Sequence, residues 1–196
     1  GSPLRVLRLT QAGARRLDRI LAGDPVPHSQ PARGLARKLV DGGLADPLPT
    51  TDCGVSPREV AVVIPVRDAT DGLVRTLQTI GTVGEVVVVD DGSVDTTAVR
   101  HAATGASLLR NDRPLGPAAA RERGWRAATR QVVAFIDADV EADAHWLAAL
   151  LPHFADPKVG AVAPRVLCQR GSGPRWLTMY ELARSPLDLG PHTGPV

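Results

Sequence analysis

The sequence predicts an α/β protein, a parallel β-sheet covered by helices on both faces, with a small strand–helix–helix appendage in front. Three observations carry this expectation. From residue 60 onward, short and almost wholly apolar runs alternate with amphipathic stretches, as strands buried on both sides of the pleat do. Most of those runs end on polar or acidic residues. Hydrophobic residues supply 43% of the chain but aromatics only 3%, which leaves the core to Val, Ala, Leu and Ile, and β-branched Val favours strands.

In chain order, Leu4-Arg5-Val6-Leu7-Arg8-Leu9 alternates with the period of a strand. Helical spacing follows over 12–21 and 31–41, and Gly42-Gly43 ends the second stretch. The Pro-, Thr- and Ser-bearing run 47–57 reads as a linker. The expected organisation is a front element of 1–49, a linker of 50–58 and an α/β domain of 59–196. Within that domain, strands are expected over 60–66, 85–90, 106–110, 132–137 and 159–164. Helices are expected over 71–79, 94–103, 117–129 and 144–154, with Pro117 at a first helical position, where a missing N–H costs nothing.

Several classes are disfavoured by composition. A net charge of +2, with the basic residues spread along the chain, offers no stripe for a nucleic-acid backbone. Cys53 and Cys168 stand alone and the five His show no ligand spacing. The apolar runs are far too short to span a bilayer. With no signal peptide in view, the expectation is a cytoplasmic protein that meets a membrane only through segments beyond this chain.

In open parallel sheets ligands bind at the carboxyl ends of the strands. Those ends read Pro65-Val66-Arg67-Asp68, Asp90-Asp91-Gly92-Ser93, the run from Arg110 to Pro117, and Asp137-Ala138-Asp139. Two carboxylates one residue apart can share a hard divalent cation that keeps waters and takes diphosphate oxygens. They can equally be solvated caps of the next helix, although Asp143 looks like that cap. Asp90-Asp91-Gly92-Ser93 suits a simple turn as well as a site. Two acidic ends side by side repel, however, and require a cation or hydrogen-bond donors. The small residues from Gly116 to Ala120 allow close approach of a phosphate to a helix N-terminus, or close packing of that helix on the sheet. Neither G-x-G-x-x-G nor a P-loop occurs.

Taken together, residues 62–68, 90–93, 116–121 and 135–140 resemble, in order and spacing, the inverting glycosyltransferases of family two. The stretches 146–157, 162–165 and 180–190 narrow the likeness to the glycosyltransferases of the mycofactocin system. The front element is distantly similar to a peptide-recognition winged-helix module. The resemblance implies a Rossmann-like GT-A domain binding a nucleotide-sugar, with UDP-glucose as donor and a peptide-derived acceptor. It implies that Pro65, Val66, Arg67, Asp68 and Asp91 hold the base, with Asp90 supporting that strand end and Gly116 near the phosphates. Asp137 faces ribose or metal, and Asp139 is the direct ligand of Mn²⁺ or Mg²⁺.

Family members often carry Asn at the positions of Asp68 and Glu122, which leaves the base and phosphate contacts open. The family's catalytic base is an acidic residue far downstream of the D-x-D. It is therefore expected beyond Val196, with no catalytic residue in this chain and the acceptor half absent. Arg175-Trp176 comes too early to be the family's late Arg-Trp motif. A phosphatase of the haloacid dehalogenase type would place its acidic pair after the D-x-D rather than before. A sugar nucleotidyltransferase would open with a Gly-rich loop after the first strand. A module that binds nucleotide-sugar without turnover is the remaining alternative.

Overall fold

The computed structural model describes residues 6–47 and 54–167, together with Trp176, Met179 and Tyr180. Two compact units divide the chain: Gly1–Pro49 with Ala163–Val196, and Thr50–Val162. In the front unit, α1 (Gln11–Leu21) is capped by the Thr10 hydroxyl, which accepts from Gly13 N. Helix α2 (Gln30–Asp41) follows and buries Ala32, Leu35 and Leu39. The alternating run expected as a strand forms none over residues 6–9, and residues 1–5 lie outside the described residues. No strand of that unit is there to pair with it among the described residues, and a strand exists only by pairing.

The second unit follows the expected β–α alternation. Strand β1 (Val60–Val66) leads to α3 (Thr70–Thr79), β2 (Glu85–Asp90) to α4 (Thr96–Ala102), and β3 (Ser107–Arg110) to α5 (Pro117–Ala127). Strand β4 (Val132–Phe135) precedes the short helix α6 (Trp146–Leu150) and a 3₁₀ turn over Leu151–Ala155. The sheet is parallel throughout, in the order β3-β2-β1-β4. Val60, Val62, Ile64 and Val66 point to the face that carries Leu73, Ile80 and Val99. Val63, Val87 and Val89 pack on the other face with Ala120 of α5. The two-residue period of the strands thus feeds two apolar layers.

Pro65 sits inside a central strand, where proline is rare. Its position in the register explains it. Residues 60–63 pair with β4, and Ile136 N donates to Val63 O, so odd-numbered β1 residues turn their polar groups toward β4. That strand has ended by Phe135, and no ladder bond is lost at Pro65.

Several expected boundaries shift by one or two residues, α5 ending at Ala127 rather than 129 among them, and four differences have a visible cause. Strand β4 stops two residues early because Asp137–Val140 form a turn closed by Val140 N on Asp137 O. Helix α4 begins later, where Asp95 caps Ala98 N. The last helix begins at Trp146 rather than 144; Asp143 instead closes the turn before it by accepting from His145 N. No strand forms over 159–164, where Gly160 and Pro164 interrupt a short, largely exposed run.

Helix α5 rests directly on the sheet at Gly124, where a Cβ would come within 2.3 Å of Val63 and 3.1 Å of Val89. Gly124→Ala is expected to lower stability by about 1–3 kcal/mol through overpacking, outweighing the gain of about 1 kcal/mol in helix propensity. A urea midpoint at or above that of the parent chain would show that the sheet yields at Val63.

Candidate functional site

All four strand ends open on one rim of the second unit, and the first of them is set by backbone strain. Asp68 adopts φ +53°, a left-handed conformation that Asp and Asn tolerate better than most residues. Its N–H donates to Ser93 Oγ (3.0 Å) and its carboxylate accepts from Val94 N (2.7 Å). These bonds tie the turn after β1 to the turn after β2. Gly92 takes φ +76°, and a Cβ there would lie 2.8 Å from Pro114 N, so glycine is required for the loop before α5 to approach.

The adjacent acids Asp90 and Asp91 are both buried and are satisfied differently. Asp90 is ion-paired with Arg110 and accepts from Ser93 N (2.8 Å), while Arg110 also donates to Ser93 O (3.1 Å). Asp91 has no ion-pair partner at contact distance among the described residues. It accepts from Asn111 Nδ2 (2.7 Å), Leu115 N (2.9 Å) and Gly116 N (2.8 Å). Burial by itself would raise its pKa. Those three hydrogen bonds, with the positive charge of Arg67 nearby, outweigh burial and hold the Asp91 carboxyl below the usual carboxylate range. Arg123 in turn donates to Arg110 O and Asn111 Oδ1, fixing the side chain that Asp91 depends on.

Asp137 and Asp139 lie in the turn after β4, both solvent-accessible. Arg121 of α5 is ion-paired with Asp137. Among the described residues the Asp139 carboxylate has no hydrogen-bond or ion-pair partner. Helix α3 braces this turn from behind. A Cβ at Gly72 would lie 2.4 Å from Ala138 O and 3.4 Å from the Asp139 Cα. Thr79 Oγ1 accepts from Ala142 N (3.1 Å), Arg75 pairs with Glu141 (3.5 Å) and Trp146 Nε1 donates to Ile80 O (3.1 Å).

The structure therefore gathers Arg67, Asp68, Asp90, Asp91, Gly116, Asp137 and Asp139 at one rim, with Pro65 and Val66 at the end of β1. The N–H of Gly116 is committed to Asp91, and Pro117 has none to give. Ala120 and Gly124 are the small residues that pack the helix on the sheet. No three His, Cys, Asp or Glu side chains converge as a metal cage among the described residues. Two hard carboxylates in one turn, one already attracting a guanidinium, nonetheless fit a divalent cation that completes its shell from phosphate and water. Residue types alone assigned no role to Arg110, Asn111, Arg121 or Gly72. For the arginines, the signal was the number of acids at the strand ends, each of which needs a donor.

This chain matches the family model "Glycosyl transferase family 2" over residues 61–193. The chain belongs to glycosyltransferase family 2. It is 41% identical over 200 residues to the pre-mycofactocin glycosyltransferase of Mycobacterium tuberculosis, in both strain CDC 1551 / Oshkosh and strain H37Rv. The match takes in 100% of this chain and 41% of each relative, so the chain spans about two fifths of their length. Among solved structures it is similar to M. tuberculosis glucosyl-3-phosphoglycerate synthase in complex with Mn²⁺, UDP-glucose and phosphoglyceric acid. There the identity is 25% and the TM-score 0.43, covering 50% of this chain and 40% of that one. Family membership and the α/β architecture agree with the GT-A expectation and leave no place for the haloacid dehalogenase alternative. Among the described residues no helix is long and apolar enough to cross a membrane.

The depressed Asp91 carboxyl makes a signed prediction. The unfolded chain binds more protons than the native one at acid pH, so this group's contribution is complete above about pH 4 and falls as pH drops through the native value. Asp91→Asn should destabilise the chain at neutral pH by about 1–3 kcal/mol, because donors lose a charged acceptor. The gap between variant and parent should narrow on acidification, as read from urea midpoints across pH 7 to 3. A gap that is constant with pH would remove Asp91 from the acid response.

Proposed function

We propose that this rim holds the nucleotide-sugar donor of a glycosyltransferase, and that the whole protein transfers glucose from UDP-glucose, with inversion, to a peptide-derived acceptor. Family membership and the likeness to the pre-mycofactocin glycosyltransferase support the transferase reading and the acceptor class. One observation of the chain itself carries the site: every other rim carboxylate named above is engaged by protein donors, and among the described residues Asp139 is left open. In this reading Pro65, Val66, Arg67, Asp68 and Asp91 form the wall for the base, Asp90 holds that wall in place, and Gly116 borders the phosphates. Asp137 and Asp139 hold Mn²⁺ or Mg²⁺. When bound, the cation supplies Lewis-acid stabilisation of the diphosphate. The residues 1–49 act as a separate docking element, 50–58 as a linker and 59–196 as the transferase domain, in a cytoplasmic protein.

Inverting transfer forms a bond from an acceptor hydroxyl oxygen to the anomeric carbon and breaks the bond from that carbon to the diphosphate. The hydroxyl proton passes to a base. After Asp139 the described carboxylates are spent locally: Glu141 on Arg75, Asp143 on His145 N (2.8 Å) and Asp156 on Lys158 N (3.1 Å). Glu181 and Asp188 lie outside the described residues. In this reading the base and the acceptor site belong to the part of the whole protein that this chain does not span.

Two measurements test the reading. In calorimetry, UDP should bind this chain more tightly with Mn²⁺ than without, and Asp139→Asn should remove that gain. A loss of about tenfold would correspond to about 1.4 kcal/mol. Equal binding with and without Mn²⁺, unaltered by the substitution, would falsify the metal role. Separately, this chain and the full-length M. tuberculosis relative are incubated with UDP-glucose, Mn²⁺ and the peptide-derived acceptor. Glucosylated product is expected by mass from the full-length protein only, because general-base help alone is worth about two to four orders of magnitude. Comparable product from both would place the base within the 196 residues.

A further inference from the structure

Arg121 is ion-paired with Asp137, a carboxylate that the donor site needs for its cation, and both side chains are partly exposed. The pair is not what places Asp137. The Asp137 carbonyl oxygen accepts from Val140 N (3.1 Å) and Thr76 Oγ1 (3.5 Å), and Ile136 N just before it donates to Val63 O (3.1 Å). Arg121 is fixed at its root as well. It follows Ala120, which α5 buries against the sheet, and stands one turn beyond Pro117 at the start of that helix. Side chains on a helix lean back toward its N-terminus. The guanidinium is therefore directed to the strand-end rim and can turn there without movement of the helix. Neighbouring arginines are engaged elsewhere: Arg75 with Glu141, Arg123 with Asn111 and Arg126 with Glu122.

We propose that Arg121 is an exchangeable counter-ion, which holds Asp137 until the divalent cation arrives and then turns to the diphosphate of the nucleotide-sugar. This role rests on the donor-site reading proposed above. A guanidinium keeps its proton at every pH the fold meets, so Arg121 cannot yield by losing its charge. It has to find another anion. A divalent cation arriving alone meets a carboxylate already shared with a positive neighbour, and is held weakly. Arriving with the nucleotide, it brings the diphosphate, whose oxygens suit the planar fork of arginine. Metal and nucleotide thereby strengthen each other's binding, by the same factor in either direction. A purely structural arginine would behave otherwise, since its removal would slacken the turn and weaken metal and nucleotide alike. Exchange requires effects of opposite sign.

The test follows Mn²⁺ by the electron paramagnetic resonance of the free ion, and UDP by calorimetry, in the 196-residue chain. In Arg121→Gln, Mn²⁺ alone should bind at least roughly threefold more tightly, since an exposed ion pair is worth a factor of up to about five. UDP with Mn²⁺ present should bind about tenfold more weakly, the share of one charge-assisted hydrogen bond. Arg121→Lys keeps the charge and should stay near the parent chain in both. If urea midpoints show that Arg121→Gln loosens the fold, Arg121→Met, which keeps the aliphatic stem, decides. Unchanged or weaker binding of Mn²⁺ alone by the folded variant would overturn the exchange. So would tighter Mn²⁺ with unaltered UDP binding, because the guanidinium would then take no part in holding the diphosphate. Either result leaves the donor site standing as long as Mn²⁺ strengthens UDP binding by the parent chain. No effect of Mn²⁺ on UDP binding by the parent chain would sink both readings.

Discussion

Crowded negative charge is the constraint that organises this protein. Asp68, Asp90, Asp91, Asp137 and Asp139 share one rim, and carboxylates this close raise each other's energy unless each finds compensation. The chain answers with a different donor for each of the first four, and among the described residues none reaches Asp139. Arg110 rises from the end of β3 to Asp90. Asn111 and the loop N–H groups before α5 close on Asp91. Arg121 reaches from α5 to Asp137, and Val94 N serves Asp68. The loops between strands and helices are shaped by these obligations more than by their own turn preferences. The 110–117 segment exists in its present form because Asp91 requires donors at that place.

A second layer of support comes from helices that lack side chains where they meet the site. Gly72 lets α3 lie against the Ala138 carbonyl, and Gly124 lets α5 lie against Val63 and Val89. The acidic turn after β4 is thereby held between a helix behind it and an arginine in front. Its neighbours extend this bracing through Thr79, Arg75 and Trp146.

Much of this architecture was legible in the residues. The runs at 60–66 and 85–90 coincide with β1 and β2, because strands covered on both faces are written as nearly continuous, Val-rich apolar runs. The strand ends bring the acidic residues to one rim, as the parallel topology demands. Less legible was whatever depends on partners remote in sequence. The alternation of residues 4–9 has a strand's period, but period says nothing about whether an adjacent strand exists. The end of β4 was misplaced because the turn at 137–140 uses the same residue types that would extend a strand. The engagement of Gly116 by Asp91 was hidden for a similar reason. A glycine before a proline-led helix looks the same whether its N–H faces a ligand or a carboxylate 25 residues earlier.

The pairing of Asp90 with Arg110 reaches beyond the site, into how the sheet assembles. Residues 86–89 are four consecutive valines, and sliding them by one position along β1 or β3 would exchange near-identical side chains at almost no loss of apolar contact. Hydrophobic pattern therefore gives weak guidance on register here. In the native alignment Val66, Asp90 and Arg110 stand abreast. A slipped alignment would take the Asp90 carboxylate out of water with no guanidinium opposite, at a cost of several kcal/mol. The ion pair thus discriminates between nearly degenerate arrangements of the same strands as the chain folds.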